Sequence, residues 1–207
     1  MSNKTPGQRP RPLLIVVSAP SGGGKTTLCD ALLTEYDNLV YSVSCTTRSP
    51  RGTEIDGEDY IFMTDEGFRK RVEAGDFLEH ATVHGYSYGT LRDVVVESLR
   101  EGQSVLMDLD VQGARSIRTL VMTLPESDPL RRGFVDIFIE PPSIEILRER
   151  LEERAEDSPE TIQRRLNNAV REMQCRDEFS YQVVNEALDR AYADLVAILQ
   201  KEWNREP

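Results

Sequence analysis

The chain has 207 residues, is 39% hydrophobic and 29% charged, and carries 25 Lys and Arg against 36 Asp and Glu, a formal net charge of -11. That length suits one compact unit with small insertions, and the hydrophobic fraction is enough for a core. So acidic a surface repels nucleic acid and anionic membrane, so an anion site is expected only where basic groups cluster against the global field. No run approaches the ~18 apolar residues of a membrane span, and the opening MSNKTPGQRPRP lacks the apolar stretch of a signal peptide. Cys29, Cys45 and Cys175 are few, odd in number and widely spaced. That usage fits a reducing, cytoplasmic compartment and argues against a disulfide scaffold or zinc knuckle.

Residues 1–12, rich in Pro, Lys and Arg, read as a disordered tail. LLIVVS at 13–18 is a short apolar, β-branched run that ends abruptly, the pattern of a buried parallel strand. A Gly-rich turn follows, then a helical stretch from about Thr26 to Glu35. The runs SVLMDLD (104–110), FVDIFIE (134–140) and YQVVN (181–185) resemble the first, with helical segments between them. This alternation predicts an α/β fold, a parallel sheet flanked by helices. Residues 44–94 break the rhythm with PRG, DG and HG turns, short aromatic strand candidates such as EDYIFM and a short helix near Glu66–Ala74; they read as a small α+β insertion. Near the end, Ile162, Leu166, Ala169 and Met173 share one helical face, and Leu188, Ala191, Leu195 and Leu199 another. Ser158 before Pro159 is a helix start, cap then first position, and Ser143 after Pro141 and Pro142 starts another. The divisions expected are a core of 13–43, 95–146 and 169–207, the insertion 44–94, and a charged helical lid at 147–168.

APSGGGKTT, residues 19–27, lies between a strand and a helix. Glycines let the backbone curl so that its N–H groups surround phosphate oxygens, and the helix N-terminus adds its positive end. Ala19, Pro20, Ser21, Gly22, Gly23, Gly24, Lys25, Thr26 and Thr27 are therefore candidate phosphate binders, with Lys25 reaching β- and γ-phosphates and Thr26 a Mg²⁺ ligand. The usual pattern opens on Gly; here Ala19 stands there, which narrows the dihedrals but removes no donor. Asp108, ending an apolar run, is placed for Mg²⁺ contacts, directly or through water, or is a solvated strand-end acid. Asp110 shares its side if the strand continues. In the insertion, Arg48 and Arg51 are spaced to clamp one phosphate with forked donors, or to lie solvated in a loop. Tyr60 and Tyr88 offer hydroxyls to the same anion, or pack as plain aromatics.

The stretches APSGGGKTTL, SVSCTTRSPRGTEIDGEDYIFM, FLEHATVHGYSYGT, VLMDLDVQGA, FIEPPS, RLEERAEDSPETIQRRLNNA and VVNEALDRAYADL resemble the guanylate kinase family, from about Leu13 to Leu199. The resemblance implies a P-loop core, a GMP-binding insertion, a helical lid, and an ATP:GMP phosphotransferase acting on GMP and dGMP with Mg-ATP. Its partners would be those nucleotides, without nucleic acid or membrane, in a monomer or homodimer. It implies that Glu79 accepts from guanine N1–H and the 2-amino group, that Ser44 donates to O6, that Asp110 supports the amino side and that Thr82 lies near the base. It places the GMP phosphate on Arg48, Arg51, Tyr60 and Tyr88. By position alone Glu79 reads equally as a solvated acid. Lys25 and Arg48 would act in transfer with Arg150, Arg154 and Arg165, which fall on the lid positions. Glu149, Glu152, Glu153 and Glu156 leave open an ion-paired helix surface there. Ala155 stands where Gly is more usual.

Two other classes compete. A non-catalytic guanylate-kinase-like binding module of a scaffold would have lost the loop chemistry that Lys25 and Thr26 retain. A kinase of ribose 1,5-bisphosphate would need no reader of a guanine edge. His80 and His84 are four apart, but Gly85 and the nearby strand pattern disfavour a metal pair. Cys45, beside the proposed ligands, is expected to make activity sensitive to thiol modification.

Overall fold

The computed structural model describes residues 11–83, 85–153 and 158–205. In chain order it runs through β1 (Leu14–Ser18), α1 (Lys25–Glu35), β2 (Leu39–Tyr41), β3 (Cys45–Thr46), β4 (Ile61–Phe62), α2 (Asp65–Ala74), β5 (Phe77–Val83), β6 (Tyr86–Leu91), α3 (Arg92–Arg100) and β7 (Ser104–Asp108). It continues with α4 (Val111–Thr123), α5 (Pro129–Gly133), β8 (Phe134–Glu140), α6 (Ile144–Glu153), α7 (Pro159–Met173), β9 (Tyr181–Val184) and α8 (Leu188–Trp203).

β1 sits at the centre of a parallel five-stranded sheet ordered β2-β7-β1-β8-β9. Leu14 pairs with Val105 on one side and Phe134 on the other. Every residue of β1 is buried, because helices cover both faces. Ile15 and Val17 pack with Leu28 and Leu32 of α1 and Leu195 and Leu199 of α8. Leu14 and Val16 pack on the other face with Val95 and Leu99 of α3 and Ile117 and Val121 of α4. The period-two alternation of a strand divides these residues between two cores.

The insertion is a second, four-stranded sheet ordered β4-β3-β6-β5 with α2 against it. Its small core is Cys45, Phe68, Phe77 and Leu91, with the Phe68 and Phe77 rings stacked at 4.5 Å. Thr64 caps α2 by accepting from Gly67 N–H, and Gly75 ends it at φ 74°. Of EDYIFM only Ile61–Phe62 is strand; the β5–β6 hairpin makes most of this sheet. The expected boundary at 94 and 95 falls inside α3.

Ser158 accepts from Thr161 N–H and Pro159 opens α7, while Ser143 accepts from Ile146 N–H at the start of α6. Leu147 and Leu151 of α6 pack on Leu166 and Ala169 of α7. Ile162 and Met173 are half-buried. On α8, Ala191, Leu195 and Leu199 are buried, but Leu188 is 46% exposed and does not share their core. It is the first residue of the helix, beyond the reach of the sheet. Of the expected tail, residues 1–10 lie outside the described residues. Arg11 donates its backbone N–H to the Trp203 carbonyl and pairs with Glu202 at 3.0 Å, so it belongs to the folded body. Among the described residues no helix is long and apolar enough to cross a membrane.

Candidate active site

The loop from Ala19 to Gly24 joins β1 to α1 at the C-terminal edge of the parallel sheet, where ligands of open α/β sheets bind. Ala19 is buried in the core, its methyl serving as packing. Gly23 N–H donates to the Pro20 carbonyl, closing a tight turn. Gly22 and Gly24 stand at φ 87° and 89°, conformations that side chains rarely adopt. A Cβ on Gly24 would lie 2.2 Å from Asn185 Nδ2, and that amide donates to the Gly23 carbonyl at 2.9 Å. A Cβ on Gly22 would meet Leu147 and Leu151 of α6. The loop is therefore braced from two sides by later parts of the chain.

α1 has no side-chain cap at Gly24 and no acid in its first turn. Its leading N–H groups lack intrahelical partners and are available to an anion. Lys25 Nζ donates to the Leu109 carbonyl at 2.9 Å and pairs with Asp108. The lysine and the acid expected beside it thus meet. Thr26 and Thr27 are exposed in the first turn. Strand β7 stops at Asp108 rather than continuing to residue 110. Asp110 instead caps α4, its Oδ1 accepting from Gly113 N–H at 2.7 Å, so it does not share a strand face with Asp108. The helix competes with the strand here because an Asp three residues before a Gly N–H is an efficient cap.

The second cluster lies in the insertion. Arg48 is buried, and both its terminal nitrogens donate to Glu54, at 2.7 and 2.8 Å. Its guanidinium carbon lies 5.1 Å from the Tyr60 ring centre, and Tyr60 meets Tyr88 edge-on at 6.0 Å. Arg48, Tyr60 and Tyr88 are thus one constellation. Arg51 is exposed; its backbone N–H donates to Glu54 at 2.7 Å. Two cations and that N–H hold the Glu54 carboxyl down at about 2, the Arg48 hydrogen bonds being the main cause.

Glu79 is buried on β5 and accepts from the Thr90 hydroxyl at 3.0 Å. Burial raises its pKa, the Thr90 hydrogen bond opposes that, and the Asp110 charge adds to it. Ser44 is half-buried beside β3, its carbonyl accepting from Ile61 N–H at 2.9 Å. Thr82 is exposed near the tip of the hairpin, opposite Ser87.

Of the lid arginines, Arg150 donates to the Asn185 carbonyl at 2.8 Å, which carries α6 to the same asparagine that braces the loop. Arg165 is half-buried on α7. Arg154 and Ala155 lie outside the described residues. Arg148 is exposed with Glu152 4.0 Å away. His80 is exposed, with its ring 6.2 Å from that of Phe77, and His84 lies outside the described residues. Cys45 is fully buried and its thiol pushed up to about 11, chiefly by burial. It is a core residue of the insertion, and that burial works against the sensitivity to thiol modification expected there.

Three residues of the site were not singled out by sequence reasoning. Glu54 stands three residues after Arg51, an acid at fixed distance from both arginines. Thr90 closes the YGT stretch, and Asn185 ends β9. Only Glu54 carries a local signal; the other two contacts are made by residues distant in sequence.

The chain has relatives over nearly its whole length. The guanylate kinase family profile matches residues 11–202. A guanylate kinase of Thermotoga maritima is 45% identical over 189 residues, 91% of this chain and 86% of that protein. One of Alkalilimnicola ehrlichii is 46% identical over 192 residues, covering 93% and 90% respectively. The crystal structure of guanylate kinase from Anaplasma phagocytophilum superposes with a TM-score of 0.70 at 31% identity, over 96% of this chain and 89% of that one. With the profile and these relatives matching nearly the whole length, this chain belongs to the guanylate kinase family.

Proposed function

We propose that the chain transfers the γ-phosphoryl group of ATP to GMP, giving ADP and GDP. The observation that supports this reading is two separate cationic clusters, Lys25 at the α1 N-terminus and Arg48 with Tyr60 and Tyr88 in the insertion, in a chain of the guanylate kinase family. The loop takes the donor phosphates. Arg48, Arg51, Tyr60 and Tyr88 take the acceptor phosphate. Glu79 takes the guanine edge, with Ser44, Thr82 and Asp110 around it. An acceptor-only carboxylate suits the two adjacent donors of guanine and meets an acceptor at adenine N1. These base contacts do not involve the ribose, so dGMP is a substrate of the same site.

A GMP phosphate oxygen attacks the γ-phosphorus as the bond to the β–γ bridging oxygen breaks, and ADP leaves with that electron pair. A phosphate monoester with a pKa near ~6 is mostly dianionic at neutral pH, so no side chain need remove a proton. The protein's task is alignment and charge neutralisation. Lys25 and the lid arginines Arg150, Arg154 and Arg165 would offset the charge of the group in flight. Closure of insertion and lid would exclude water from the site.

Thr26, exposed in the first turn of α1, and Asp108, at the end of β7, fit Mg²⁺, which takes one or two protein oxygens and completes its shell with water and phosphate. Among the described residues no group of three or more His, Cys, Asp or Glu is placed to hold a metal. The ion would supply charge neutralisation across the β- and γ-phosphates.

The test is an assay of the purified protein with Mg-ATP and, separately, GMP, AMP, UMP or ribose 1,5-bisphosphate. ADP formation should depend on GMP and vanish in Lys25→Met. Equal or greater turnover of ribose 1,5-bisphosphate, or GMP binding without turnover, would replace this reading with the sugar-phosphate kinase or the binding module.

A further inference from the structure

Asn185 follows β9 directly and is 5% exposed, so its polar groups must find partners inside the protein. Its backbone N–H donates to the Glu140 carbonyl at 2.8 Å, one rung beyond the paired residues of β8 and β9. Its carbonyl accepts from Arg150 of α6 at 2.8 Å. These two bonds fix its backbone from the core sheet and from α6. Its side-chain amide is thereby aimed at the phosphate loop, where Nδ2 donates to the Gly23 carbonyl at 2.9 Å. Gly24 supplies the room, since a Cβ there would lie 2.2 Å from that nitrogen.

The bond falls on a peptide with glycine on both sides, so no side chain resists its turning over. A turn would carry Gly24 from φ 89° to about −90°, which glycine adopts as readily. A trans peptide is planar, with its C=O and N–H pointing opposite ways. Holding the Gly23 carbonyl on Asn185 therefore directs the Gly24 N–H away from Asn185. Turned over, the same peptide would put a carbonyl oxygen where the N–H stands, and that oxygen repels an anion where the N–H attracts it. We propose that Asn185 is a positioning residue of the donor site, holding the Gly23–Gly24 peptide with its N–H toward the nucleotide phosphates. Lys25 and the start of α1 supply the charge. Asn185 sets the direction of a donor that the two glycines leave undecided. Because its carbonyl also seats Arg150, loop and α6 share one anchor.

This inference rests on the donor reading of the loop, and the experiment separates the two. MgADP is titrated calorimetrically into wild type, Asn185→Ala and Asn185→Asp. Wild type that binds no MgADP removes the donor reading itself. Given binding, Asn185→Ala, which drops the donor and leaves the peptide free to turn, should bind roughly three- to tenfold more weakly. Asn185→Asp keeps the shape but sets an acceptor against the Gly23 carbonyl, so it should bind more weakly still. Its ligand-free crystal structure at neutral pH should show the peptide turned over, with the Gly24 N–H donating to the new carboxylate. The KM for GMP should stay within about twofold in both variants, a selectivity that a general loosening of the fold does not give. MgADP affinity within about twofold of wild type in either folded variant overturns the proposal. So does a Gly23 carbonyl still directed at residue 185 in Asn185→Asp.

Discussion

Glu54 grips Arg48 through both terminal nitrogens, at 2.7 and 2.8 Å, and holds that guanidinium against the Tyr60 ring. A buried arginine keeps its direction only while something shares its donors. Glu54→Gln should therefore raise the KM for GMP by roughly tenfold or more, with a smaller change for ATP. Steady-state kinetics with each substrate varied in turn checks this, and an equal effect on both substrates contradicts it.

The same pair sets a pH window. Glu54 is held from its ordinary 4.5 down to about 2 by Arg48 and the Arg51 N–H. A carboxyl lowered on folding contributes stability fully above the ordinary value and loses it as pH falls toward the folded one. Thermal unfolding should thus show a component that fades between those values in wild type and is missing from Glu54→Gln. Parallel melting curves across that range would count against the pair.

Glu79 has the opposite sign. Burial raises its pKa, so its charged form costs stability once the pH exceeds the ordinary carboxylate range. Glu79→Gln should be at least as stable as wild type at neutral pH yet lose roughly a hundredfold in kcat/KM for GMP, because the amide presents a donor to a donor edge. In wild type, GMP binding should weaken on acidification at a pH above that of an exposed glutamate. Calorimetry of GMP binding against pH, with the variant as control, reads this directly.

Gly24 leaves no room for a methyl group. Gly24→Ala adds strain at φ 89° to a 2.2 Å contact with Asn185, a cost of about 1–3 kcal/mol from the backbone alone. Activity should be lost with ATP as the affected substrate. Asn185→Ala in the same chain relieves the contact but not the dihedral, so recovery should be partial. Full recovery would mean that backbone strain contributes nothing.

Cys45 and Cys29 are buried, with thiols pushed up to about 11 and about 12. The thiolate is the reactive form. Alkylation at neutral pH in the folded protein should label neither and leave turnover unchanged; mass spectrometry locates any adduct. Labelling of Cys45 with loss of activity would place it at an open surface.

What could be read from the amino-acid order followed from local rules. LLIVVS ends where Gly-rich sequence begins, and that break alone places a buried strand before a phosphate loop. Ser158-Pro159 announces α7 because capping is a local event. Harder to read were contacts between distant residues. Asn185 reaches Gly23 across the sheet, and Thr90 reaches Glu79 across a hairpin; neither spacing leaves a periodic trace. Whether the strand runs on to Asp110 is open in the sequence, because an acid after an apolar run looks alike as strand end and as helix cap. Leu188 fits the apolar stripe of α8, yet the sheet stops short of it.

The central position of β1 bears on how the molecule is made. The strand emerges from the ribosome before its neighbours β7 and β8, which are synthesised about a hundred residues later, at rates of roughly 5–20 residues per second. Until then its apolar side chains have no partner, so the nascent chain passes through a sticky interval of several seconds. The closing tie comes later than either strand, when Trp203 donates to Ser104 Oγ, the same hydroxyl that takes the Leu13 N–H. Loss of the final helical turn would therefore loosen the first strand.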